Sequence, residues 1–508
     1  MNRKIGVIYS YGLMLVEICS TLLFTPFLIR SLGQAEYGVY QLVFSITSYL
    51  VLLDLGVGGS VIRYMSKYRA DGDKPAQRRF LGVTTIYYGL IALAALLIGG
   101  VILLVFPQVF AKGLGPDEVV LAKKLFSVTM CNVAVTLATS GFFNTLIAFE
   151  RFNVSKGTSI LITLLKMCAS FGALLLGMGS LGVVIVQFVV NIVQRAIYVL
   201  YVLFKLKISP RFKNISFAFV KEVAAYSSFI LLQLIASQIN AMSDQILLGI
   251  FAKSAAVIIG IYGIGAQILQ YFKTVGSHFT SVLMPGLVRL VESGAKREDY
   301  EKEMVRISRI VFMALAAVYA VFLVFGQDFV YLWAGEENAA AYFVAAVLLF
   351  PTLFSYAEGV GYQLLQAMAK HKLPAILQVV SAVLNIGLTI WLIQWDPLKG
   401  AVIGSFIALF LCETVLMNVM YKTQIGIRLT VLFRGMLHGT LPCLVLSAAF
   451  GLLLKMANFA RFGWLGLLLN CGCMTLVYAG LMWLFGMNTY EKALIKQPLQ
   501  KIIQKVKR

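Results

Sequence analysis

The chain has 508 residues, of which 60% are hydrophobic and only 13% are charged, and its formal net charge is +21. Soluble domains carry about 25% charged residues, so this composition excludes an ordinary water-soluble protein. A nucleic-acid-binding surface would need a basic soluble face with aromatic platforms, whereas these charges are scattered between apolar stretches. The sequence therefore predicts a polytopic membrane protein, and we expect no nucleic-acid partner.

Apolar stretches of about 20 residues recur along the whole chain. Such a stretch can cross about 30 Å of hydrocarbon as a helix, and a helix satisfies its own backbone hydrogen bonds in lipid. We expect an all-α bundle of about fourteen transmembrane helices, since a count of twelve would make two stretches re-entrant. The first stretch is longer than the core of a signal peptide and should be retained. The predicted spans are 7–29, 37–58, 81–106, 120–148, 157–177, 182–204, 225–251, 258–284, 308–326, 341–366, 374–395, 400–421, 434–456 and 463–486.

The distribution of basic residues predicts the orientation. Most loop Lys and Arg residues lie at the N-terminus, in loops after even-numbered spans and in the C-terminal tail. Because short basic loops stay in the cytoplasm, both termini are predicted to be cytoplasmic. The tail, 487–508, places Ile495, Leu499, Ile502 and Val506 at helical spacing among lysines, which predicts a basic amphipathic helix. This helix would lie against anionic headgroups or dock a partner enzyme.

At least eight charged residues inside the predicted spans are candidates for a functional role. A charged side chain near the middle of the bilayer costs about 2.5 to 3.5 kcal/mol on insertion scales, so such residues usually face a cavity or pair with one another. They are Glu17, Asp54, Lys166, Arg195, Asp244, Lys273, Glu358 and Glu413.

Polar residues at helical spacing accompany these charges on five spans. Interhelical hydrogen-bonding seams would explain one such stripe, but several stripes with unbalanced charge favour a hydrated cavity. Cations in that cavity suit an anionic substrate. The stripes are Ser10, Glu17, Thr21 and Thr25; Ser159, Thr163, Lys166 and Ser170; Gln187, Asn191, Arg195 and Tyr198; Gln233, Ser237, Asn240 and Asp244; and Gln267, Tyr271, Thr274 and His278.

The sequence does not predict a metal-binding or nucleotide-binding site. All seven cysteines lie inside apolar stretches, and the three histidines, His278, His371 and His438, fall on separate segments. We therefore expect no metal centre and no cofactor. The sequence has no phosphate-binding glycine loop, so ATP hydrolysis by this chain is not expected.

A weak internal repeat predicts the domain organisation. Gly38-Val-Tyr40 before the second span resembles Gly260-Ile-Tyr262 before the eighth. A shift of six helices keeps the same membrane orientation, as in parallel repeats with a substrate site between them. The predicted divisions are a six-helix lobe at 1–210, a second six-helix lobe at 211–425, two further helices at 426–486 and the basic tail at 487–508.

Several short motifs are similar to the polysaccharide transporter (Wzx-type oligosaccharide flippase) family of the multidrug/oligosaccharidyl-lipid/polysaccharide flippase superfamily. They are Arg30-Ser-Leu-Gly-Gln-Ala-Glu-Tyr-Gly-Val-Tyr40, Leu52-Leu-Asp-Leu-Gly-Val-Gly58, Ile62-Arg-Tyr64, Asp244-Gln-Ile-Leu-Leu-Gly249 and Gly260-Ile-Tyr-Gly-Ile-Gly265. The resemblance implies a V-shaped, MATE-like pair of six-helix lobes with two C-terminal helices outside. It also implies translocation of an undecaprenyl-pyrophosphate-linked oligosaccharide across the bacterial inner membrane. The first span lacks the arginine cluster of the lipid II flippase branch, so a peptidoglycan precursor is the weaker expectation.

The chemistry of such a substrate predicts roles for the intramembrane residues. An unpaired hydroxyl costs roughly 4 to 8 kcal/mol in an alkane-like medium, so the sugars need replacement hydrogen bonds. We expect three cations, Lys166, Arg195 and Lys273, to attract the pyrophosphate. Glu17 or Asp244 would change protonation or bind a cation, which couples transport to a proton or sodium gradient. The residues expected to meet sugar hydroxyls are Gln187, Asn191, Gln233, Asn240 and Tyr271. Expected partners are the lipid-linked oligosaccharide, membrane lipids and polysaccharide assembly enzymes.

Three other functions stay open at this point. A cation-coupled multidrug exporter of the same superfamily would share the architecture, although cationic drugs favour an acidic cavity. A membrane-embedded polysaccharide polymerase or ligase would need a large outer loop with catalytic residues, and the predicted outer loops are short. A non-transporting scaffold would leave the intramembrane charges unexplained. We therefore expect a membrane transporter rather than an enzyme.

Overall fold

A computed structural model describes residues 3–212, 217–281, 284–368, 370, 372–457, 463–494 and 496. These residues form helices joined by short connections, and none of them lies in a β-strand. The predicted all-α fold class is confirmed. The α-helices are α1 Arg3–Val51, α2 Val57–Ala70, α3 Lys74–Phe110, α4 Pro116–Ala138, α5 Ser140–Ala148, α6 Phe152–Leu175, α7 Gly179–Leu200, α8 Phe217–Phe251, α9 Ala255–Ser281, α10 Met284–Glu292, α11 Arg297–Ala334, α12 Ala341–Ala357, α13 Gly359–Ala367, α14 Lys372–Leu392, α15 Pro397–Leu409, α16 Met417–Met420, α17 Leu429–Leu437, α18 Thr440–Met456 and α19 Gly463–Leu481. Short 3-10 segments lie at Leu52–Asp54 and Glu336–Asn338, and π-helical segments lie at Tyr201–Lys205, Phe410–Leu416, Tyr421–Ile425 and Met482–Gly486.

Helix α1 contains the first predicted span and most of the second. Its 49 residues would extend about 74 Å as one helix, far more than the roughly 30 Å of a bilayer core. Gly33 interrupts it with φ 74° and ψ 171°, a conformation that only glycine adopts readily. The predicted junction at 30–36 therefore coincides with a kink inside one long helix.

The number of membrane-crossing segments agrees with the prediction. Within the described part of the chain, twelve helices are long and apolar enough to cross a membrane, and the bent pair α12 and α13 raises this to thirteen. The first of the twelve, Gly12–Ala70, has 59 residues and includes the Gly33 kink, so it holds two predicted spans. Apolar side chains such as Leu104 and Leu453, which are 77% and 64% exposed, suit contact with lipid. The protein is thus a multi-pass membrane protein.

Several spans are broken where the sequence predicted continuous helices. The second breaks at residues 52–56, where Leu55 and Gly56 both have positive φ. The fourth breaks at Thr139 between α4 and α5, and the tenth bends by 43° at Glu358 between α12 and α13. The last two breaks are each followed by a nine-residue helix and lie six spans apart.

The first of two compact units comprises Met1–Gly263 and Thr389–Ala401. In this unit α1 packs against α4, α6 and α8, while α3 packs against α4. The glycines of the two Gly-x-Tyr motifs approach each other closely. A Cβ atom on Gly38 would lie 1.7 Å from the carbonyl oxygen of Ala256, and one on Gly260 would lie 2.8 Å from the carbonyl oxygen of Gln34. Only glycine permits this contact between α1 and α9.

The second unit comprises Ile264–Leu388 and Val402–Arg508, where α11 packs against α12, α17, α18 and α19. Arg309 on α11 connects several segments of this unit. Its guanidinium donates to the backbone carbonyls of Gly435 and Gly486, and it forms an ion pair with Glu491 at 2.7 Å. The predicted divisions at 210, 425 and 486 stay predictions.

Much of the predicted amphipathic tail, including Ile495, Leu499, Ile502 and Val506, lies outside the described residues. Residues 489–494 are helical. Asn488 and Glu491 cap this helix reciprocally, each side chain accepting the other's backbone N–H at 2.9 Å.

Candidate functional site

Two of the predicted site residues on α7 hold helices together. Asn191 is buried, and its amide donates to Asn132 Oδ1 at 2.6 Å and to Thr136 Oγ1 at 2.9 Å on α4. Gln187, one turn earlier, donates to the hydroxyl of Tyr40 on α1 at 3.3 Å. Both amides therefore act as an interhelical hydrogen-bonding seam.

Arg195 follows Asn191 by one turn and has a half-buried side chain. Its Nε donates to Asn191 Oδ1 at 3.4 Å, and its guanidinium carbon lies 5.8 Å from the Phe143 ring centre and 6.0 Å from that of Tyr198. Gln194 donates to the Tyr198 hydroxyl at 2.8 Å and so fixes that ring. Within the described residues no other Arg195 nitrogen donates a hydrogen bond. The Nη donors therefore remain open to an anion.

Lys166 on α6 adds a second cation to this group. It is half-buried and within electrostatic range of Arg195 and Glu17. Glu17 on α1 is exposed and also within range of Lys156. Among the described side chains no carboxylate lies within 4 Å of Lys166 or Arg195. One carboxylate cannot balance three cations, so this group carries net positive charge.

The predicted residues on α8 lie in the same unit. Asp244 is 3% exposed and accepts hydrogen bonds from the hydroxyls of Tyr262 on α9 and Thr389 on α14, the latter at 3.2 Å. Gln233 and Asn240 are half-buried, and Asn240 Oδ1 has no hydrogen-bond partner in the described part of the chain. The two predicted coupling residues thus differ, since Asp244 is buried and hydrogen-bonded whereas Glu17 is exposed beside lysines.

Lys273 and Tyr271 lie in the second unit, on α9. Lys273 is half-buried and within electrostatic range of Glu413, whose carboxylate accepts a hydrogen bond from Ser355 at 3.3 Å. This lysine therefore has an acidic partner nearby. Tyr271 lines an apolar cavity of about 340 Å³ together with side chains such as Phe325. That surface suits hydrocarbon better than the sugar hydroxyls predicted for Tyr271.

Sequence reasoning missed several residues that contact Asn191 and Arg195. Asn132 and Thr136 are four residues apart on α4, the same spacing that revealed the other stripes, so a signal was present. Phe143 follows the break at Thr139, which the sequence did not predict. In the described part of the chain, no group of three or more His, Cys, Asp or Glu side chains could hold a metal ion.

The fold is similar to that of solved flippases and exporters. "Lipid II flippase MurJ, inward closed conformation" superposes with a TM-score of 0.72 at 14% identity, covering 94% of this chain and 98% of that one. A multidrug resistance MATE family transporter of the MOP superfamily in its inward-facing conformation gives 0.64 at 14% identity, covering 81% and 98%. A MOP superfamily transporter from Pyrococcus furiosus gives 0.57 at 15% identity, covering 83% and 95%. At these identities the likeness shows the MurJ- and MATE-like fold alone.

Sequence comparison gives the family. No curated protein matches the chain. The sequence profile described as "Polysaccharide biosynthesis protein" matches residues 6–291, which is more than half of the chain and includes the kinked α1, the cations of α6 and α7, and Asp244. The chain therefore belongs to the polysaccharide biosynthesis protein family, as a membrane protein with a flippase-like fold.

Proposed function

We propose that this protein is a flippase that moves an undecaprenyl-pyrophosphate-linked oligosaccharide across a bacterial inner membrane by alternating access. The product would feed synthesis of a cell-surface polysaccharide such as O-antigen, capsule or exopolysaccharide. The observation that carries this proposal is the net positive group of Arg195 and Lys166 within a transmembrane bundle of this family. Both termini would be cytoplasmic, with polysaccharide assembly enzymes as partners.

The physical reason is the charge of the headgroup. A pyrophosphate cannot enter hydrocarbon unaided, because removing an ion from water costs far more than removing a neutral polar group. Arg195 offers unused Nη donors in a fork geometry that matches phosphate oxygens, and Phe143 and Tyr198 restrain its plane. Lys166 supplies a second charge. The polyprenyl chain would stay in lipid while the protein carries only the headgroup.

Energy coupling is the second part of the proposal. Glu17 lies beside Lys156 and Lys166, so a change in its protonation would alter the net charge of the group that attracts the pyrophosphate. Asp244 would instead bind a proton or sodium ion between the hydroxyls of Tyr262 and Thr389. Either event would couple flipping to an ion gradient, with no ATP and no cofactor.

The test is leaflet exchange in proteoliposomes. Purified protein would be reconstituted with a fluorescent undecaprenyl-pyrophosphate oligosaccharide, and exchange would be followed by quenching from outside, with and without a proton or sodium gradient. We expect protein-dependent exchange that a gradient accelerates. The fold shared with MATE multidrug transporters makes a cationic drug dye the matched control. Gradient-driven dye efflux with no glycolipid exchange would contradict the proposal and favour an exporter.

A further inference from the structure

The second unit contains a buried carboxylate that the proposed headgroup contacts do not use. Glu358 is 1% exposed and lies at the end of α12, where the chain bends into α13. Asn418 on α16 donates through Nδ2 to Glu358 Oε2 at 2.6 Å and to the backbone carbonyl of Thr414 at 2.9 Å. Both neighbours are acceptors, so the amide nitrogen must face them and Asn418 Oδ1 must point elsewhere.

Three buried oxygens at this contact lack partners. Glu358 Oε1, Asn418 Oδ1 and Thr414 Oγ1 make no hydrogen bond to any described residue. Their side chains are only 1%, 4% and 5% exposed, so they are shielded from solvent. Buried polar atoms in native proteins nearly always have partners, and a buried carboxyl group is either protonated or next to a positive charge. The three oxygens are therefore candidate ligands for a cation.

The neighbouring charged groups do not supply it. Glu413, five residues before Asn418, accepts from Ser355 and is within electrostatic range of Lys273. Tyr421 is within range of Glu358, and its ring packs against Gly361. No described Lys or Arg side chain lies within 4 Å of Glu358.

The C-terminal end of α12 and the π-helical segments near the contact favour a cation, whereas the N-terminal end of α13, whose N-cap is Glu358, favours the carboxylate itself. The C-terminal end of a helix carries a partial negative charge, and Glu358 lies at the C-terminal end of the 17-residue α12. Thr414 lies in the π-helical segment Phe410–Leu416, and Tyr421 begins a second π-helical segment. Discontinuous membrane helices provide coupling-ion sites in transporters because they free carbonyl groups for coordination.

We propose that Glu358, Asn418 and Thr414 form a sodium site. Carboxylate, amide and hydroxyl oxygens are the ligands of hard cations, and divalent ions take more carboxylate charge than one glutamate supplies. A single carboxylate balances a monovalent ion. A role for this site in coupling transport to a sodium gradient rests on the proposed flippase function. Ion binding itself does not depend on that function, so it can be measured without transport.

The experiment is saturable binding of 22Na⁺ to the purified full-length protein in detergent. Glu358→Gln keeps the size of the side chain and removes the charge, and we expect it to lose one bound sodium ion per chain relative to the wild type. The matched control is the double variant Lys273→Met with Glu413→Gln, which removes a neighbouring carboxylate together with its cation. This control should bind as much sodium as the wild type.

A second variant tests the proposal even if Glu358→Gln folds poorly. Asn418→Ala removes Oδ1 and keeps the carboxylate, so sodium should bind more weakly to this variant. Sodium chloride should raise the melting temperature of the wild type above that in choline chloride, and this rise should shrink in Asn418→Ala. Equal sodium binding by Glu358→Gln and wild type, or an unchanged rise in Asn418→Ala, would overturn the proposal. Failure of flipping with intact sodium binding would overturn only the flippase function.

Discussion

Two groups of intramembrane charges, one in each compact unit, differ in the sign of the charge and in the exposure of the side chains. In the first unit, Lys166 is within electrostatic range of Arg195 and Glu17, no described carboxylate lies within 4 Å of either cation, and all three side chains are half-buried or exposed. In the second unit, Lys273 has Glu413 as its acidic neighbour, and Glu358 is a further carboxylate that is fully buried. The group of Lys166 and Arg195 in the first unit therefore has surplus positive charge that is accessible, whereas Glu358 in the second unit is a negative charge that is enclosed.

This difference separates two tasks that the same residue types could perform. A surplus cation with open donors can attract an anionic headgroup and release it, because its partner comes and goes with the substrate. An enclosed carboxylate cannot reach a large headgroup, but a small cation can reach it. The comparison thus assigns the substrate contact to Lys166 and Arg195 and the ion contact to Glu358. The predicted coupling residue Asp244, however, lies in the first unit.

The largest expected effect comes from removing the Arg195 guanidinium. Arg195→Ala should slow glycolipid exchange by about 10- to 100-fold, the worth of a hydrogen bond to a charged group of about 1.5 to 3 kcal/mol. Arg195→Lys keeps the charge and loses the fork, so it should fall between the wild type and Arg195→Ala. The readout is the initial rate of exchange in proteoliposomes at matched protein content.

The control for Arg195→Ala is Lys399→Ala, which removes an exposed lysine in the first turn of α15 and should leave the rate unchanged. Full exchange by Arg195→Ala would show that the surplus charge of the first unit does not bind the headgroup.

A second experiment gives Arg195 an acidic neighbour, as Lys273 has in the second unit. Asn191→Asp places a carboxylate next to Arg195, whose Nε lies 3.4 Å from Asn191 Oδ1. Neutralising the guanidinium should reduce exchange by about 10-fold, a cost of about 1.4 kcal/mol. Asn191→Gln is the neutral control for disturbing the bonds to Asn132 and Thr136. Equal losses in the two variants would mean that packing, and not charge, explains the effect.

The fold could be predicted from the sequence because lipid imposes a simple rule on apolar length. Within the described residues each predicted span lies mainly in helix, since hydrocarbon leaves the backbone no other way to satisfy its hydrogen bonds. The breaks at Thr139 and Glu358 escaped prediction. Gly141 and Gly359 lie just after the two breaks, but glycines occur throughout the spans and do not single out a break, and packing against neighbouring helices leaves no trace in hydropathy.

The site was predicted only in part, for a related reason. Helical spacing placed Gln187, Asn191 and Arg195 on one face, and the structure agrees. Spacing says nothing about partners in other helices, so it could not show that Asn191 bonds to α4 or that Lys273 faces Glu413. Whether these residues bind substrate stays a prediction.

The smallest expected effect on exchange comes from the neighbouring charges of Lys273 and Glu413 in the second unit. Lys273→Met or Glu413→Gln alone leaves one charge without its neighbour and should lower the melting temperature. The double variant removes both charges and should recover stability, with a coupling energy of about 0.5 to 3 kcal/mol. Its exchange rate should stay within about twofold of the wild type, a difference of about 0.4 kcal/mol. A loss as large as that of Arg195→Ala would instead place Lys273 among the pyrophosphate contacts, as the sequence predicted. The contrast between the two units would then fail, because a lysine with an acidic neighbour would bind the headgroup as well as Arg195 does.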